Sequence, residues 1–166
     1  MKVDIVLDSS AIINLVNGGC IDKVLSIGEH NYFLGDLITD HEILNPIQKV
    51  VLESLIETGL LTLLDARIPL SRVIELQNKH SLGLGETECI AICVATGYSI
   101  CTDDLKARNC SKKEIGENKV IGSLYLLREA VRAGTISCPE ALKIYVQMKV
   151  KGGFLPSGLT DNYFCR

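Results

Sequence analysis

The chain has 166 residues, of which 47% are hydrophobic and 22% are charged, and its formal net charge is −3. This length and composition predict a single globular domain over residues 1–166, without disordered or low-complexity regions. The slightly acidic balance excludes a protein that holds nucleic acid by overall charge alone, although it does not exclude nucleic-acid binding.

The chain carries no pattern of a membrane or secreted protein. It begins MKVDIVLD, which is not a signal peptide, and no apolar run reaches the roughly 18 residues of a membrane helix. Its seven cysteines include no CxxC pair and form no zinc pattern with the histidines. Cys89 and Cys93 lie four residues apart in an apolar run, which predicts buried thiols on one helix face. We therefore expect a reduced cytoplasmic protein with no disulfide and no membrane partner.

Short apolar strands alternate with helices along the chain. Strands are predicted at 3–7, 31–34, 60–64, 98–101 and 119–121. Helices are predicted at 11–16, 22–27, 70–79, 86–96, 123–133 and 139–151, and also after Thr39, with a bend or boundary near Asn45 before Pro46. Residues 105–113 fit either a helix or a loop, and 135–166 form a C-terminal helix and tail. The alternation predicts right-handed crossovers and an α/β fold with a mostly parallel sheet.

Acidic residues follow two of the predicted strands or begin neighbouring helices. Asp8 ends the first strand, and Asp103 and Asp104 follow the fourth. Glu42 and Glu86 lie in the first turns of their helices. If the first and fourth strands are neighbours, these side chains meet where α/β sheets usually bind ligands. Clustered carboxylates repel each other, and Mg²⁺ or Mn²⁺ relieves the repulsion, so the acids predict a metal site suited to phosphodiester cleavage.

Each acid also has an ordinary structural explanation. Asp8 could cap the helix that follows it, and Asp103 and Asp104 could form a turn. Glu86 suits a helix N-terminus because of the helix dipole, and a capping box with the preceding threonine explains Glu42. Their shared position at one predicted sheet edge favours the metal site.

Other catalytic motifs are incomplete. The segment Gly83-Leu84-Gly85-Glu86 lacks the third glycine of a dinucleotide fingerprint and follows a helix rather than a strand. The chain has no GxxxxGK[ST] loop and no nucleophile elbow. A different acidic α/β protein, such as a phosphatase or a receiver-like domain, is an alternative from another class.

Four segments of the chain resemble motifs of the PIN-domain family. They are Val6-Leu7-Asp8-Ser9-Ser10-Ala11, Leu82-Gly83-Leu84-Gly85-Glu86-Thr87-Glu88, Cys101-Thr102-Asp103-Asp104-Leu105-Lys106-Ala107-Arg108 and Ile121-Gly122-Ser123-Leu124. Their order and spacing agree over residues 1–135, and the chain resembles the VapC-like, prokaryotic PIN nucleases. The tail from Gly153 onward also resembles that of a prokaryotic PIN subfamily of poorly known role.

The resemblance implies a three-layer α/β/α fold, a Mg²⁺ or Mn²⁺ site and endoribonuclease activity on RNA. It also implies a toxin of a toxin–antitoxin pair, with an antitoxin partner and a homodimer. By position in the motifs, Asp8, Glu86 and Asp103 correspond to the family's catalytic metal ligands, and Asp104 corresponds to an accessory acid.

The chain departs from the family pattern at one acid. That acid usually lies several residues into the helix after the second strand, where this chain has Asn45, while Glu42 lies one turn earlier on the same face. Either Glu42 takes its place, or the chain is a catalytically weakened PIN domain that acts as a binding or regulatory module.

Basic residues follow the Asp103 motif. Lys106 and Arg108, with Lys112 and Lys113 further on, are expected to contact RNA phosphates, or else to form a solvated helix face. Aromatic residues make up only 5% of the chain, which does not suggest base stacking.

Overall fold

Five parallel strands form the central sheet of the protein, whose computed structural model describes residues 2–38, 43, 45–64 and 68–165. The strands are β1 (Val3–Leu7), β2 (His30–Leu34), β3 (Thr62–Leu63), β4 (Ser99–Cys101) and β5 (Val120–Ile121). Their spatial order is β3-β2-β1-β4-β5, and every neighbouring pair is parallel. The predicted mostly parallel sheet is confirmed, and the first and fourth strands are neighbours, which is the condition for Asp8 and Asp103 to meet.

Helices flank the sheet in two groups. They are α1 (Ser9–Asn17), α2 (Ile21–Leu25), α3 (Pro46–Glu57), α4 (Leu70–His80), α5 (Leu84–Thr96), α6 (Leu105–Ile115), α7 (Ser123–Arg132), α8 (Cys138–Val150) and α9 (Asp161–Phe164). Helices α1, α2, α7 and α8 contact one another, whereas α5 contacts α4, α6, β1 and β4. The result is a three-layer α/β/α fold. No helix in the described part of the chain is long and apolar enough to cross a membrane.

The middle strand β1 marks the point where the order of the sheet reverses. Strands β2 and β3 extend from one side of β1, and the chain then returns to place β4 and β5 on the other side. Ile5, Val6 and Leu7 are almost fully buried, as expected of a strand covered on both faces. In sheets of this kind, ligands bind beyond the carboxyl ends of the strands at the reversal, which here lie after β1 and β4.

Several local predictions can be compared with the structure. Residues 105–113, for which the sequence allowed either a helix or a loop, belong to helix α6, which Asp104 caps. Helix α3 begins at Pro46 after Asn45, as the proline indicated. The capping box from Thr39 to Glu42 lies outside the described residues. Helix α9 was not expected, because four residues are too few to show a helical pattern.

The C-terminal tail is joined to α8 by a disulfide between Cys138 and Cys165, whose Cα atoms lie 5.5 Å apart. The prediction that the chain has no disulfide is therefore wrong. The two cysteines are separated by 27 positions in sequence, and they meet only because α9 returns to pack against α8. The prediction of buried thiols is confirmed for Cys89 and Cys93, and the thiols of Cys20, Cys101 and Cys110 are buried as well.

Candidate active site

Asp8 follows β1 directly and is fully buried. It occupies the N-cap position of α1, but its side chain makes no capping hydrogen bond there. Instead its Oδ2 accepts hydrogen bonds from the Ser10 hydroxyl at 2.6 Å and the Thr102 hydroxyl at 2.7 Å. A buried carboxylate is costly unless it is hydrogen-bonded, and these hydroxyls reduce that cost. Helix capping therefore does not explain the Asp8 carboxylate.

Ser10 connects the ends of β1 and β4. Its Oγ donates to Asp8 and accepts a hydrogen bond from the backbone N–H of Asp103 at 3.0 Å. The hydroxyls of Ser10 and Thr102 lie 3.2 Å apart, and Thr102 is fully buried. This cluster holds the backbone of Asp103 beside the side chain of Asp8, as expected for residues that follow neighbouring parallel strands.

The Asp103 carboxylate is oriented by two other helices. Its Oδ2 accepts a 2.8 Å hydrogen bond from the side-chain amide of Asn14 on α1. Its Oδ1 accepts a 2.9 Å hydrogen bond from the backbone N–H of Ser123, the first residue of α7. A helix N-terminus carries partial positive charge, which favours a carboxylate at this position.

The pKa of the Cys101 thiol, at the end of β4, depends on its burial and on both carboxylates. Burial raises its pKa well above the ordinary value, and the negative charges of Asp103 and Asp8 raise that pKa further. The thiol therefore stays protonated and is a poor nucleophile. The carboxylates, rather than this cysteine, are the chemically useful groups here.

Two other predicted acids, Asp104 and Glu86, accept hydrogen bonds from backbone N–H groups at helix starts. The Asp104 Oδ1 accepts from the backbone N–H of Ala107 at 2.7 Å and so caps α6. The Glu86 Oε2 accepts from the backbone N–H of Gly83 at 2.9 Å, at the start of α5. Glu42 lies outside the described residues. The roles of these three acids as metal ligands stay predictions.

Asn45, which the sequence comparison aligned with an acid of the family, caps α3. Its Oδ1 accepts a 2.9 Å hydrogen bond from the backbone N–H of Ile47, and its side chain is exposed. The amide therefore serves the local helix start.

Glu88 reaches the sheet edge, although the sequence prediction selected only Glu86. Its Oε2 accepts a 3.0 Å hydrogen bond from the backbone N–H of Leu37, shortly after β2. A Cβ atom at Gly35 would collide with the Glu88 carboxylate, so glycine makes room for it. Each helical residue turns by about 100°, so Glu86 and Glu88 project in nearly opposite directions. Glu88 thus lies at the carboxyl end of β2, the strand next to β1.

The two predicted RNA-binding residues diverge. Lys106 donates a 2.5 Å hydrogen bond to the carbonyl of Ser81, before α5. Arg108 donates from Nη1 to the carbonyl of Thr102 at 3.1 Å and is half-buried beside the site. A Cβ atom at Gly122 would lie 2.6 Å from this Nη1 and 2.7 Å from the Asp103 Oδ1. Because Gly122 has no side chain, the Arg108 guanidinium and the Asp103 carboxylate can both lie against its backbone.

Two cavities open beside Asp103. One of about 480 Å³ is lined by Asp103, Arg108 and Gly122, among others. The other, of about 710 Å³, is lined by Ser10, Asn14 and Asp103. The carboxylate after β4 is therefore accessible from both, while Asp8 lies beneath the surface.

Comparison with known protein families identifies the family of this chain. A family model described as a PIN domain matches residues 4–164. The chain belongs to the PIN-domain family. No curated protein and no solved structure matches the chain. The PIN domain is a nuclease-type fold, and this assignment favours a nuclease over the receiver and phosphatase alternatives.

PIN nucleases generally use divalent metals, and the donor chemistry of this PIN domain fits such an ion. Within residues 2–38, 43, 45–64 and 68–165, no three histidine, cysteine, aspartate or glutamate side chains form a group that could hold a metal. Magnesium, however, is commonly held by one or two carboxylates together with water and substrate phosphates. Asp8 and Asp103, surrounded by hydroxyls and amides, match that mode of binding.

Ser10, Asn14 and Thr102 contact the two carboxylates, although the sequence analysis named none of them as a site residue. Ser10 and Thr102 lie within the family motifs, whereas Asn14 lies outside them. Ser10 and Asn14 are four residues apart on α1, so they share the helix face that follows Asp8. That spacing is the signal in the sequence that points to Asn14.

Proposed function

We propose that this PIN domain is a Mg²⁺- or Mn²⁺-dependent endoribonuclease whose site lies at the ends of β1 and β4. One observation carries the proposal: Ser10 hydrogen-bonds both the Asp8 carboxylate and the Asp103 backbone at the sheet reversal. Carboxylates held in this way after neighbouring strands provide the hard oxygen ligands that these cations require.

Each residue has a distinct proposed role. Asp8 and Asp103 hold the metal, and Glu86 is the predicted third acid, with Asp104 and Glu42 as accessory acids. When bound, the ion supplies positive charge that stabilises the transition state of phosphodiester hydrolysis and makes water a better nucleophile.

The surrounding side chains position the carboxylates and the RNA. Asn14 and the N-terminus of α7 fix the orientation of the Asp103 carboxylate through the hydrogen bonds described above. Arg108 lines the smaller cavity beside Asp103, where its guanidinium can bind a backbone phosphate of the RNA. Lys106, on the other side of α6, is proposed to contact a more distant phosphate.

The decisive experiment measures cleavage of a mixed RNA pool by the purified protein. Cleavage is expected with Mn²⁺ or Mg²⁺, is expected to stop with EDTA and is expected to return when metal is added. Asp8→Asn and Asp103→Asn should each abolish it. The matched control is Asp4→Asn, which makes the same change on β1 away from its carboxyl end. Cleavage that persists in EDTA or in Asp103→Asn would refute the proposal.

A second comparison identifies the third acid. Glu86→Gln and Glu88→Gln change neighbouring positions on one helix, so they make a matched pair. If Glu86 is the third acid, as proposed, Glu86→Gln should cause the larger loss of activity. A larger loss in Glu88→Gln would transfer that role to the acid that reaches the end of β2.

The alternative is a catalytically weakened PIN domain that binds RNA without cutting it. The exposed Asn45 cap favours this alternative, because an amide there replaces the acid usual in the family. Metal-independent RNA binding without cleavage in either metal would support it.

The biological setting is also part of the proposal. A toxin role predicts a small antitoxin reading frame adjacent to this gene and growth arrest on expression. A homodimer is supported by exposed Ile47 and Val50 on α3, and sedimentation tests it. The proposed cytoplasmic location conflicts with the disulfide between Cys138 and Cys165, since disulfides are rare in reducing compartments.

A further inference from the structure

Phe154 is a large apolar side chain that lies in solvent beside the candidate site. It is 98% exposed, the highest value among the large apolar residues in the described part of the chain. Phe154 lines both cavities that flank Asp103. This exposed aromatic residue and the accessible carboxylate therefore border the same space.

The backbone on either side of Phe154 is anchored to the domain. The Gly153 N–H donates to the carbonyl of Met148 at 2.9 Å, and Leu155 is only 8% exposed. The Tyr145 hydroxyl donates to the carbonyl of Pro156. The backbone around Phe154 is thus fixed by hydrogen bonds and packing, although the Phe154 side chain itself is exposed.

Gly153 brings this segment close to the residue that orients Asp103. A Cβ atom at 153 would lie 2.5 Å from the Asn14 Oδ1 and 2.9 Å from the carbonyl of Met148. Only glycine lets the backbone pass at this distance. The next residue, Phe154, is therefore presented directly beside the hydrogen bond between Asn14 and Asp103.

We propose that Phe154 is a stacking platform for an unpaired base of the RNA, next to the phosphate that is cleaved at Asp103. This inference rests on the proposed ribonuclease function. Stacking on an aromatic ring strengthens binding by about 5–150-fold per base and needs an exposed ring face. Bases inside a duplex cannot offer their faces, so the substrate class is single-stranded or loop RNA. One well-placed ring is sufficient despite the low aromatic content of the chain.

Different residues would contact the phosphate and the base of a bound nucleotide. Arg108 lines the smaller cavity on one side of Phe154 and bears the positive charge suited to a phosphate. The larger cavity, lined by Ile13 and Leu105, offers an apolar wall for the base. A nucleotide bound with its base on Phe154 would have its backbone directed towards Asp103.

The test uses the full chain with Asp103→Asn to prevent cleavage, and a short single-stranded RNA in which one adenine is replaced by 2-aminopurine. Stacking quenches the fluorescence of this base. Quenching is expected on binding, and adding Phe154→Leu should remove it and weaken the Kd by about tenfold. Phe154→Trp should retain tight binding. The matched control is Val150→Ala, which alters another exposed apolar residue outside both cavities and should change nothing.

The otherwise unmodified enzyme provides a second measurement. Phe154→Leu should raise KM for single-stranded RNA with little change in kcat, because stacking binds substrate and transition state alike. Unchanged binding and KM in Phe154→Leu would overturn the inference even if the protein cleaves RNA. Equal weakening with duplex RNA would also overturn it, and so would loss of self-association without any effect on RNA. If the protein binds RNA with Phe154-dependent quenching but never cleaves, stacking stands and the nuclease proposal fails.

Discussion

The side-chain amide of Asn14 donates a 2.8 Å hydrogen bond to the Oδ2 of Asp103, which lies 89 positions later in the sequence. Asn14 is only 5% exposed, so this bond connects the interior of α1 to the acid that follows β4. This hydrogen bond from a neutral amide holds the Asp103 carboxylate in one orientation.

Asn14→Ala is expected to lower RNA cleavage by about 10–100-fold, because residues that orient a ligand usually affect metal affinity or activity by that factor. Loss of the hydrogen bond to a charged group should also lower the free energy of unfolding by about 1–3 kcal/mol. The measurements are kcat/KM and urea unfolding. The matched control is Asn31→Ala, which removes an exposed hydrogen bond from the Asn31 side-chain amide to Asp4 and should leave cleavage unchanged. Full activity in Asn14→Ala would show that Asp103 needs no such orientation.

Metal addition should stabilise the folded protein. A ligand that binds only the folded state at about 100 times its Kd adds about 2.7 kcal/mol, or several degrees of Tm for a chain of this size. Mn²⁺ and Mg²⁺ are expected to raise the Tm, and EDTA should reverse the rise. Asp8→Asn should lose most of this shift, whereas Asp4→Asn should keep it. An unchanged shift in Asp8→Asn would place the metal elsewhere.

The disulfide predicts a specific number of thiols. Of the seven cysteines, Cys138 and Cys165 are paired, so the unfolded, unreduced protein should titrate with five thiols, and with seven after reduction. Cys165→Ser should lower the unfolding free energy by about 3–4 kcal/mol without reductant, because the unfolded chain loses its cross-link. Reductant should then have no further effect on this variant. Seven thiols in protein prepared without reductant would contradict the pairing.

Glu114 should make stability depend on pH. Its carboxylate accepts hydrogen bonds from Lys79 and His80, each 2.7 Å long, which join α6 to the end of α4. The bond from Lys79 lowers the pKa of Glu114, and that from His80 lowers it further, against the opposing effect of burial. A group with a lowered folded-state pKa stabilises the protein above its unfolded pKa of about 4.3, and this stability is lost as the pH falls through the folded value.

Glu114→Gln should therefore cost about 1–3 kcal/mol of unfolding free energy at pH 7 and much less at pH 3. Urea unfolding at the two pH values measures the difference. The control is Glu117→Gln, which removes an exposed ion pair with Lys112 and should have little effect at either pH. An equal loss at both pH values would mean that the Glu114 charge is not responsible.

The sequence by itself determined the order of strands and helices and the two acids after β1 and β4. These features are local, because a short apolar run, a following aspartate and a glycine or proline boundary occupy adjacent positions. The rule that parallel strands place their carboxyl ends at one edge then predicts that Asp8 and Asp103 are neighbours. The structure connects them through Ser10, as that rule requires.

Only the tertiary structure decided which other side chains meet those acids. The contact of Asn14 with Asp103, the reach of Glu88 to the end of β2 and the return of Cys165 to Cys138 all join distant segments. Each depends on how a helix is rotated against the sheet or how the tail folds back, which periodicity does not specify. The exposure of Phe154 has the same origin, because it follows from the anchoring of its neighbours on α8 and in the core.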